Sequence, residues 1–445
     1  MSILRAAFTR KSGYQFAVPK VIVRHNSSFH GLKVSQDRIW DTLQSTCKIA
    51  GAKDRGLSRL SCDDNDKIAR DWFADEVRKL GASYTIDAMG TQWATIEGTD
   101  NDIPPIGVGS HLDSVQTGGK FDGPLGVLRE SGKKTYAPFT VINWTNEEGA
   151  RFPPGCMSSA VWSEQLDLDY AHKCTDTMDR SITIKDELKR IGYLGSKEVS
   201  YKTNPLSAHF EVHIEQGNRL EKSGSDVGVV DSIQGMRWYD VSLRGFTRHT
   251  DTTYMDNRQD ALVGASKMVL EVERIGRDSK TGMATVSLFK SSPQNFCNIP
   301  SVVDFSFSMQ HTDLSTLTDM EKQIEKFIYE TAAASGLDVT NYQNIWSFDP
   351  GVFDKTAVNC VEEAAKDMGY NYDKLCSHTG HDSIYTRLVC PTAMVFTPCR
   401  DGISHSPLEY ASPENCSVGA QTILGAVLRY DDILRKKYSL ETVKN

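Results

Sequence analysis

The chain has 445 residues, a formal net charge of −8 at pH 7, 39% hydrophobic residues and 24% charged residues. This composition is ordinary for a globular protein and excludes a disordered or fibrous chain. The acidic balance argues against a nucleic-acid partner, which requires a basic face, and no apolar run approaches the ~18 residues of a membrane span. The length predicts two domains. The ten scattered cysteines form no CxxC pair, which is typical of reduced thiols inside a cell.

The first 36 residues contain no acidic side chain but several arginines and lysines, and Asp37 is the first carboxylate. Apolar residues between Ile3 and Phe8 can share one face of a short helix with arginines opposite. This pattern predicts that residues 1–36 are a mitochondrial transit peptide. The alternative is a basic N-terminal segment without a targeting function, in a cytoplasmic protein.

The spacing of apolar residues predicts the elements that follow. Three- and four-residue spacing from Val34 to Lys79 indicates helices, and the pattern from Tyr84 to Gly98 indicates a β-hairpin. Short β-branched or aromatic runs at Ile106 to Val108, at Phe139 to Trp144 and at 208–217 indicate buried strands. We therefore expect an α/β fold.

A second unit begins near Gly235, where strands and helices alternate in the order β-α-β-β-α-β. That order is the split βαβ sandwich. After Asp349 the chain returns to helix, strand and closing helix, so the split unit interrupts a larger one. We expect a mixed-sheet catalytic domain of residues 37–232 and 349–445, with an inserted ferredoxin-like domain of residues 233–348.

Side chains that bind metals follow several of the predicted strands. Open α/β sheets build their sites at the carboxyl ends of strands, so these side chains are expected to meet. Any one of them alone is more often a surface or structural group, but the combination is not expected by chance. Nitrogen and oxygen ligands of this number suit two hydrolytic metal ions that share a carboxylate. The five candidates are His111, Asp122, Glu148, His213 and His405.

Two further carboxylates have predicted roles beside these candidates. Alternate side chains of a strand share a face, so Asp113 is expected to accept the second ring N–H of His111. Glu147 precedes Glu148 in a loop. One carboxylate of such a pair can bind metal while the other takes a proton from water, which makes Glu147 the candidate general base.

Six motifs together resemble the M20 metallopeptidase clan. Within it they are similar to the N-carbamoyl-L-amino-acid hydrolase, β-ureidopropionase and allantoate amidohydrolase group. The resemblance covers roughly residues 35–435, and the motifs occur in the family's order. They are GSHLDSV, GGKFDGPLGV, NEEGARF, HFEVHIEQG, GHDS and DGISHSPLEY.

The resemblance implies two divalent metal ions per chain, with zinc favoured and manganese or cobalt as alternatives. His111, Asp122 and His213 would hold one ion; Asp122, Glu148 and His405 would hold the other. It also implies a small-molecule substrate that contacts Gln216, His249 and His381, a reaction that hydrolyses a ureido C–N bond, and a homodimer. The inserted domain would form the dimer, with His249 reaching the partner's site.

The chain departs from the family pattern where the substrate would be held. The family asparagine falls on Cys297, with Asn298 adjacent, and the family arginine falls on Gln310. Asn298 and Gln310 are therefore the candidate substrate contacts at these positions. The connection after Asp122 leaves room for at most a short helical stub. Two alternatives stay open: an M20 aminoacylase or dipeptidase, and a catalytically degenerate paralogue with a binding role.

Overall fold

The computed structural model describes residues 32–49, 51–52, 56–122 and 134–442. Almost all of the predicted transit peptide and the shortened connection after Asp122 lie outside these residues. The described residues from 32 onward form one compact unit, so the predicted division at 232/233 and 348/349 stays a prediction. No helix in the described part of the chain is both long and apolar enough to cross a membrane.

Fifteen strands are observed among the described residues, and most of them belong to two sheets. In chain order they are β1 (Gly51–Ala52), β2 (Gly56–Leu57), β3 (Ser83–Ile86), β4 (Gln92–Ile96), β5 (Ile106–His111), β6 (Phe139–Trp144), β7 (Ala208–Ile214), β8 (Val227–Ile233), β9 (Gly235–Arg244), β10 (Met283–Ser292), β11 (Val302–His311), β12 (Asp338–Phe348), β13 (Gly351–Val352), β14 (Tyr372–Ser377) and β15 (Thr392–Thr397).

Eleven α-helices are described, and several begin at an Asp, Ser or Thr whose side chain accepts an N–H of the first turn. They are α1 (Gln36–Lys48), α2 (Asp64–Lys79), α3 (Met157–Trp162), α4 (Leu168–Lys173), α5 (Ile184–Arg190), α6 (Arg219–Ser223), α7 (Ala261–Asp278), α8 (Leu314–Ala334), α9 (Lys355–Met368), α10 (Ser383–Thr386) and α11 (Pro413–Thr442).

The larger sheet has nine strands in the order β13-β8-β15-β7-β5-β6-β4-β3, with β14 paired to β8. Its centre is parallel, because β5 pairs in parallel with β6 and β7, and β15 pairs in parallel with β7. The outer pairs β3–β4, β4–β6 and β8–β15 are antiparallel, so the sheet is mixed, as predicted. Four strands therefore end at the same edge: β5, β6, β7 and β15.

Helices bury the larger sheet. Helices α9 and α11 pack on strands β7, β8 and β15, and α1 packs on α11. Another apolar cluster joins Trp93, Trp144 and Trp162 to the segment that contains α4 and α5. Because the central strands are covered, β7 is buried along its whole length. Polar side chains at the ends of these strands consequently lie in a protein interior.

The smaller sheet is antiparallel, with the order β10-β11-β9-β12 and helices α7 and α8 packed on it. The chain order β9-α7-β10-β11-α8-β12 is the predicted β-α-β-β-α-β. Its core is separate and includes Leu243, Phe305 and Ile324. Strand β12 also reaches the larger unit, where Trp346 Nε1 donates to Tyr385 Oη at 2.9 Å.

The predicted hairpin is confirmed, with Ser83 opposite Thr95 and a turn at Gly90, whose φ of +79° favours glycine. Strands β5, β6, β7 and β15 and the closing helix are also confirmed. Strands β8 and β14, which widen the sheet beyond β15, were not predicted.

Candidate metal centre

The candidate ligands meet at the edge where the parallel strands end. His111 is the last residue of β5, and His213 is the penultimate residue of β7. Glu147 and Glu148 follow β6, and His405 lies in the loop after β15. Asp122 comes from the connection after β5. The pairing of four parallel strands thus brings distant parts of the chain to one place, as the sequence predicted.

Asp122 joins two groups of side chains that can each hold a metal ion: His111 with His213, and Glu148 with His405. Its Oδ1 lies 2.6 Å from His213 Nε2 and 3.4 Å from His111 Nε2. Its Oδ2 lies 3.3 Å from His405 Nε2, and this nitrogen lies 3.3 Å from Glu148 Oε2. One carboxylate therefore presents a different oxygen to each group, which is the arrangement that a bridging ligand requires.

The histidine rings are oriented for metal binding. His111 Nδ1 lies 2.8 Å from the carbonyl oxygen of Asp113, and His213 Nδ1 lies 2.8 Å from that of Ile214. Because a carbonyl only accepts, both Nδ1 atoms carry a proton, which leaves Nε2 as the metal-binding nitrogen of each ring in its neutral form. His111 Nε2 is buried and has no hydrogen-bond partner among the described residues. A lone pair facing a carboxylate suits a cation between them, so these residues fit a divalent metal ion.

The site concentrates negative charge in a buried place. Burial, followed by the neighbouring charge of Asp122, raises the pKa of Glu148 to about 7. Burial also raises the pKa of Glu147 well above its ordinary value. For Asp122 burial alone would act upward, but the positive charge of a protonated His213 and the close ring nitrogens of His111, His213 and His405 lower its pKa well below the usual range. This excess of carboxylates favours a bound cation.

The predicted contact between the Asp113 carboxylate and His111 is wrong. The backbone carbonyl of Asp113 takes the ring proton, and the Asp113 carboxylate lies 3.9 Å from that ring nitrogen. Its two oxygens instead accept the backbone N–H groups of Glu147 and Glu148, both at 3.3 Å. Strand β5 ends at His111, so Asp113 lies outside the regular strand alternation on which the prediction depended. Asp113 therefore holds the loop that carries the two glutamates.

Glu147 lies between candidate ligands and unassigned polar groups. Its Oε2 is 3.3 Å from His111 Nε2, and its Oε1 is 4.0 Å from His381 Nδ1. The thiol of Cys156 is 3.7 Å from Oε1 and donates to it. The His381 ring is buried, and its nitrogens have no hydrogen-bond partner in the described part of the chain. Its centroid lies 4.3 Å from the centroid of the His213 ring. Glu147 and His381 are thus placed beside the two groups of candidate metal ligands.

Gln216 is also in the site. Its Nε2 donates to Asp122 Oδ2 at 3.1 Å and to Ser404 Oγ at 3.0 Å. Ser404 donates in turn to Glu409, whose other oxygen accepts the backbone N–H of Phe121 and Asp122. The sequence reasoning missed Ser404 and Glu409. Both belong to the DGISHSPLEY motif, so proximity to His405 was the one available signal.

The other predicted substrate contacts lie on the smaller sheet and its loops. His249 is exposed, forms a β-bridge with Asn298, and accepts the backbone N–H of Asp251. Gln310, near the end of β11, directs its Nε2 at Met283 Sδ, 3.7 Å away. Cys297 is exposed. None of the hydrogen bonds or ion pairs found among the described residues connects His249, Asn298 or Gln310 to the candidate metal ligands.

The chain is similar to known hydrolases over most of its length. Residues 108–429 match the model of peptidase family M20/M25/M40. An N-carbamoyl-L-amino-acid amidohydrolase of Rhizobium meliloti is 36% identical, over 90% of this chain and 98% of that one. A ureidoglycolate hydrolase of Oryza sativa subsp. japonica is 28% identical, over 89% and 85%. A hydantoinase/carbamoylase family amidase from Burkholderia vietnamiensis, whose crystal structure is known, is 38% identical in sequence. The two structures match with a TM-score of 0.86 over 89% of this chain and 97% of that one.

Proposed function

The chain belongs to peptidase family M20/M25/M40, and from this membership and the site geometry we propose that it is a metal-dependent amidohydrolase of ureido compounds. The observation that carries the proposal is the sharing of Asp122 between two groups, His111 with His213 and Glu148 with His405. We propose that these five residues hold two divalent ions, with zinc favoured over manganese or cobalt. Their mixture of imidazole and carboxylate donors suits zinc.

The substrate class is inferred from relatives and from the site. The similar protein of Rhizobium meliloti is named for N-carbamoyl-L-amino acids and that of Oryza sativa for ureidoglycolate, and both names denote a ureido group. We propose an N-carbamoyl amino acid or a related linear amide as the substrate. Hydrolysis of its ureido C–N bond consumes one water and releases an amine, ammonia and carbon dioxide.

The chain's own residues divide the work. Bound divalent ions would supply Lewis-acid chemistry, which lowers the pKa of water and polarises a carbonyl. Glu147 would take a proton from the attacking water at its carboxylate and deliver it to the leaving nitrogen. The Asp113 carboxylate would hold Glu147 in place by accepting the backbone N–H of Glu147. His381 and Gln216 line the same place and would orient the ureido group.

Metal analysis combined with product analysis tests this function. The purified protein is expected to contain up to two zinc ions per chain and to release ammonia from a panel of N-carbamoyl amino acids. Release of an amino acid from N-acyl amino acids or dipeptides, without ammonia, would instead establish an aminoacylase or dipeptidase. Metal binding with no turnover of either panel would support a binding role.

We propose that the enzyme is a homodimer formed through the smaller sheet. Strand β10 is an edge strand of ten residues, and an unpaired edge is a template for strand addition. Met283, Leu288 and Phe289 on this strand and Leu270 on α7 are exposed. Light scattering of the wild type should give twice the mass of one chain. The double variant Leu288→Lys with Phe289→Lys should give the mass of a single chain. A monomeric wild type would refute the proposal.

We also propose that residues 1–36 direct import into mitochondria, given their basic composition without carboxylates. Fusion of these residues to a fluorescent reporter is expected to localise it to mitochondria. A diffuse cytosolic signal would contradict this and favour the cytoplasmic alternative.

A further inference from the structure

Glu409 is a buried carboxylate that neither group of candidate ligands contains. Its side chain is 4% exposed. Oε1 accepts the backbone N–H of Phe121 at 2.9 Å and of Asp122 at 3.3 Å, and Oε2 accepts the Ser404 hydroxyl at 3.1 Å. Hydrogen bonds to an ionised group are stronger than those between neutral groups. Three such donors on two oxygens hold this carboxylate in one orientation.

The turn before Asp122 is shaped around this carboxylate. A Cβ atom added at Gly119 would lie 1.8 Å from Glu409 Cδ and within 2.0 Å of both of its oxygens. Residue 119 therefore has to be glycine for the backbone to approach so closely. A methyl group at this position would displace the carboxylate while leaving Glu409 itself unchanged.

Ser404 extends the influence of Glu409 to Gln216. A hydroxyl has one hydrogen, and that of Ser404 is donated to Glu409. Ser404 can consequently only accept from Gln216, so the Gln216 amide must direct its nitrogen at Ser404 and Asp122. Its Oε1 is then left buried without a hydrogen-bond partner among the described residues. An acceptor in this position suits the N–H groups of a ureido substrate.

We propose that Glu409 is a positioning residue of the metal centre: it fixes the backbone at Asp122 and, through Ser404, sets the orientation of the Gln216 amide. The inference rests on the proposed function, because it takes Asp122 as a ligand shared by two ions. It adds that ligand placement and substrate orientation depend on one buried carboxylate that contacts neither metal nor substrate.

The first test compares two buried carboxylates that each accept the backbone N–H groups of two successive residues. Asp431 is 3% exposed and accepts the backbone N–H groups of Tyr136 and Ala137, both at 2.8 Å, away from the candidate ligands. Zinc affinity is measured by competition with a chromophoric chelator, and Tm is measured in parallel. Glu409→Ala should weaken zinc binding by roughly 10- to 100-fold, as loss of a ligand-orienting contact does. Asp431→Ala should lower Tm but leave zinc affinity unchanged.

Gly119→Ala gives an independent arm, because it displaces the carboxylate without removing it. It should weaken zinc binding as Glu409→Ala does, and combining the two changes should add little further loss, since both act on one contact. If Glu409→Ala and Asp431→Ala lower Tm alike and both keep wild-type zinc affinity, Glu409 has a structural role only and the proposal is overturned.

A second test separates the two contacts of Glu409. Glu409→Gln keeps an oxygen for the N–H groups of Phe121 and Asp122, but it places an amide donor against Ser404. Zinc affinity should therefore be retained, whereas KM should rise by about 10-fold with kcat little changed, as expected for a lost binding contact. Ser404→Ala should show the same KM effect, and the double variant should not exceed either change alone. A kcat loss with unchanged KM would overturn the link to Gln216.

The two proposals can fail separately. A wild-type protein that binds no zinc would overturn both the proposed function and the role of Glu409. If the wild type binds zinc but hydrolyses no ureido acid, the proposed substrate is wrong. In that outcome the zinc affinities of the Glu409, Gly119 and Asp431 variants alone decide the positioning role.

Discussion

The candidate metal ligands at the edge of the larger sheet and the candidate substrate contacts on the smaller sheet differ in burial and in the contacts that hold them. His111, Asp122 and His213 are buried, and their contacts with one another are complete within one chain. His249 is exposed and Gln310 is partly exposed, and both make their hydrogen bonds locally. The comparison teaches that the metal centre depends on the packing of one chain. His249 and Gln310 share no hydrogen bond or ion pair with that centre among the described residues.

The largest expected effect comes from replacing Asp122 or Glu147 in the candidate metal centre. Asp122→Ala should remove both metal ions and all turnover, because each group of ligands loses the oxygen that Asp122 contributes to it. Glu147→Gln should keep the metal ions and lower kcat by about 10²- to 10⁴-fold, the usual contribution of a general base. Metal content per chain and kcat are measured together. Full metal content in Asp122→Ala would show that this carboxylate does not bridge.

The proposed contribution of His249 to a partner's site is tested by mixing chains. His249→Ala should lower kcat/KM without changing metal content, since His249 shares no hydrogen bond or ion pair with the candidate ligands among the described residues. If His249 serves the partner's site, mixing His249→Ala with Glu147→Gln should restore about a quarter of wild-type activity, because half of the dimers are hybrids with one intact site. The mixture must be unfolded and refolded to exchange subunits. No recovery in a confirmed hybrid dimer would place His249 in its own chain's site.

Replacing Gln310 by arginine is expected to raise activity rather than lower it. An arginine would offer a charged, bidentate contact to a substrate carboxylate, whereas glutamine offers an uncharged amide. Gln310→Arg should therefore raise kcat/KM on N-carbamoyl amino acids by about 10-fold, in line with one added charged hydrogen bond. Gln310→Met is the matched control without a donor. Robust wild-type activity that neither variant changes would show that the carboxylate is held elsewhere.

The smallest effect concerns the stability of the larger sheet. His209 Nε2 accepts from Trp144 Nε1, its Nδ1 faces Thr386 Oγ1, and burial lowers its pKa from 6.5 to about 3. Between these values the unfolded chain binds a proton that the folded chain does not, so the free energy of unfolding falls as pH decreases.

His209→Gln should remove this loss. The difference in the free energy of unfolding between variant and wild type should shift by roughly 2 kcal/mol in favour of the variant from pH 7 to pH 5. Denaturant unfolding at both pH values measures the shift, and pH 7 to 8 is the control range in which no change is expected. A difference that does not vary between pH 7 and pH 5 would show that His209 titrates normally.

Local patterns predicted much of the fold. The smaller sheet followed from its sequence because each strand and helix is amphipathic and long, as Val302–His311 illustrates with alternating burial. Strand β8 was missed because Val227–Ile233 contains Gly228 and polar Asp231 and Ser232 in a short run. Strand β14 is short and largely polar, and it is specified by its parallel pairing with β8.

The sequence by itself determined the ligand types, their order and their positions after strands, because strand ends and motifs are local properties of the chain. Only the tertiary structure decided which oxygen of Asp122 faces which histidine, and that the backbone of Asp113 orients His111. It also revealed Glu409, whose contact with Phe121 joins residues 288 positions apart. Such contacts depend on packing between distant segments, and a buried carboxylate that binds backbone N–H groups has no pattern in sequence. Local motifs therefore determine which residue types the site contains, whereas the distances between them are set only when the sheet assembles.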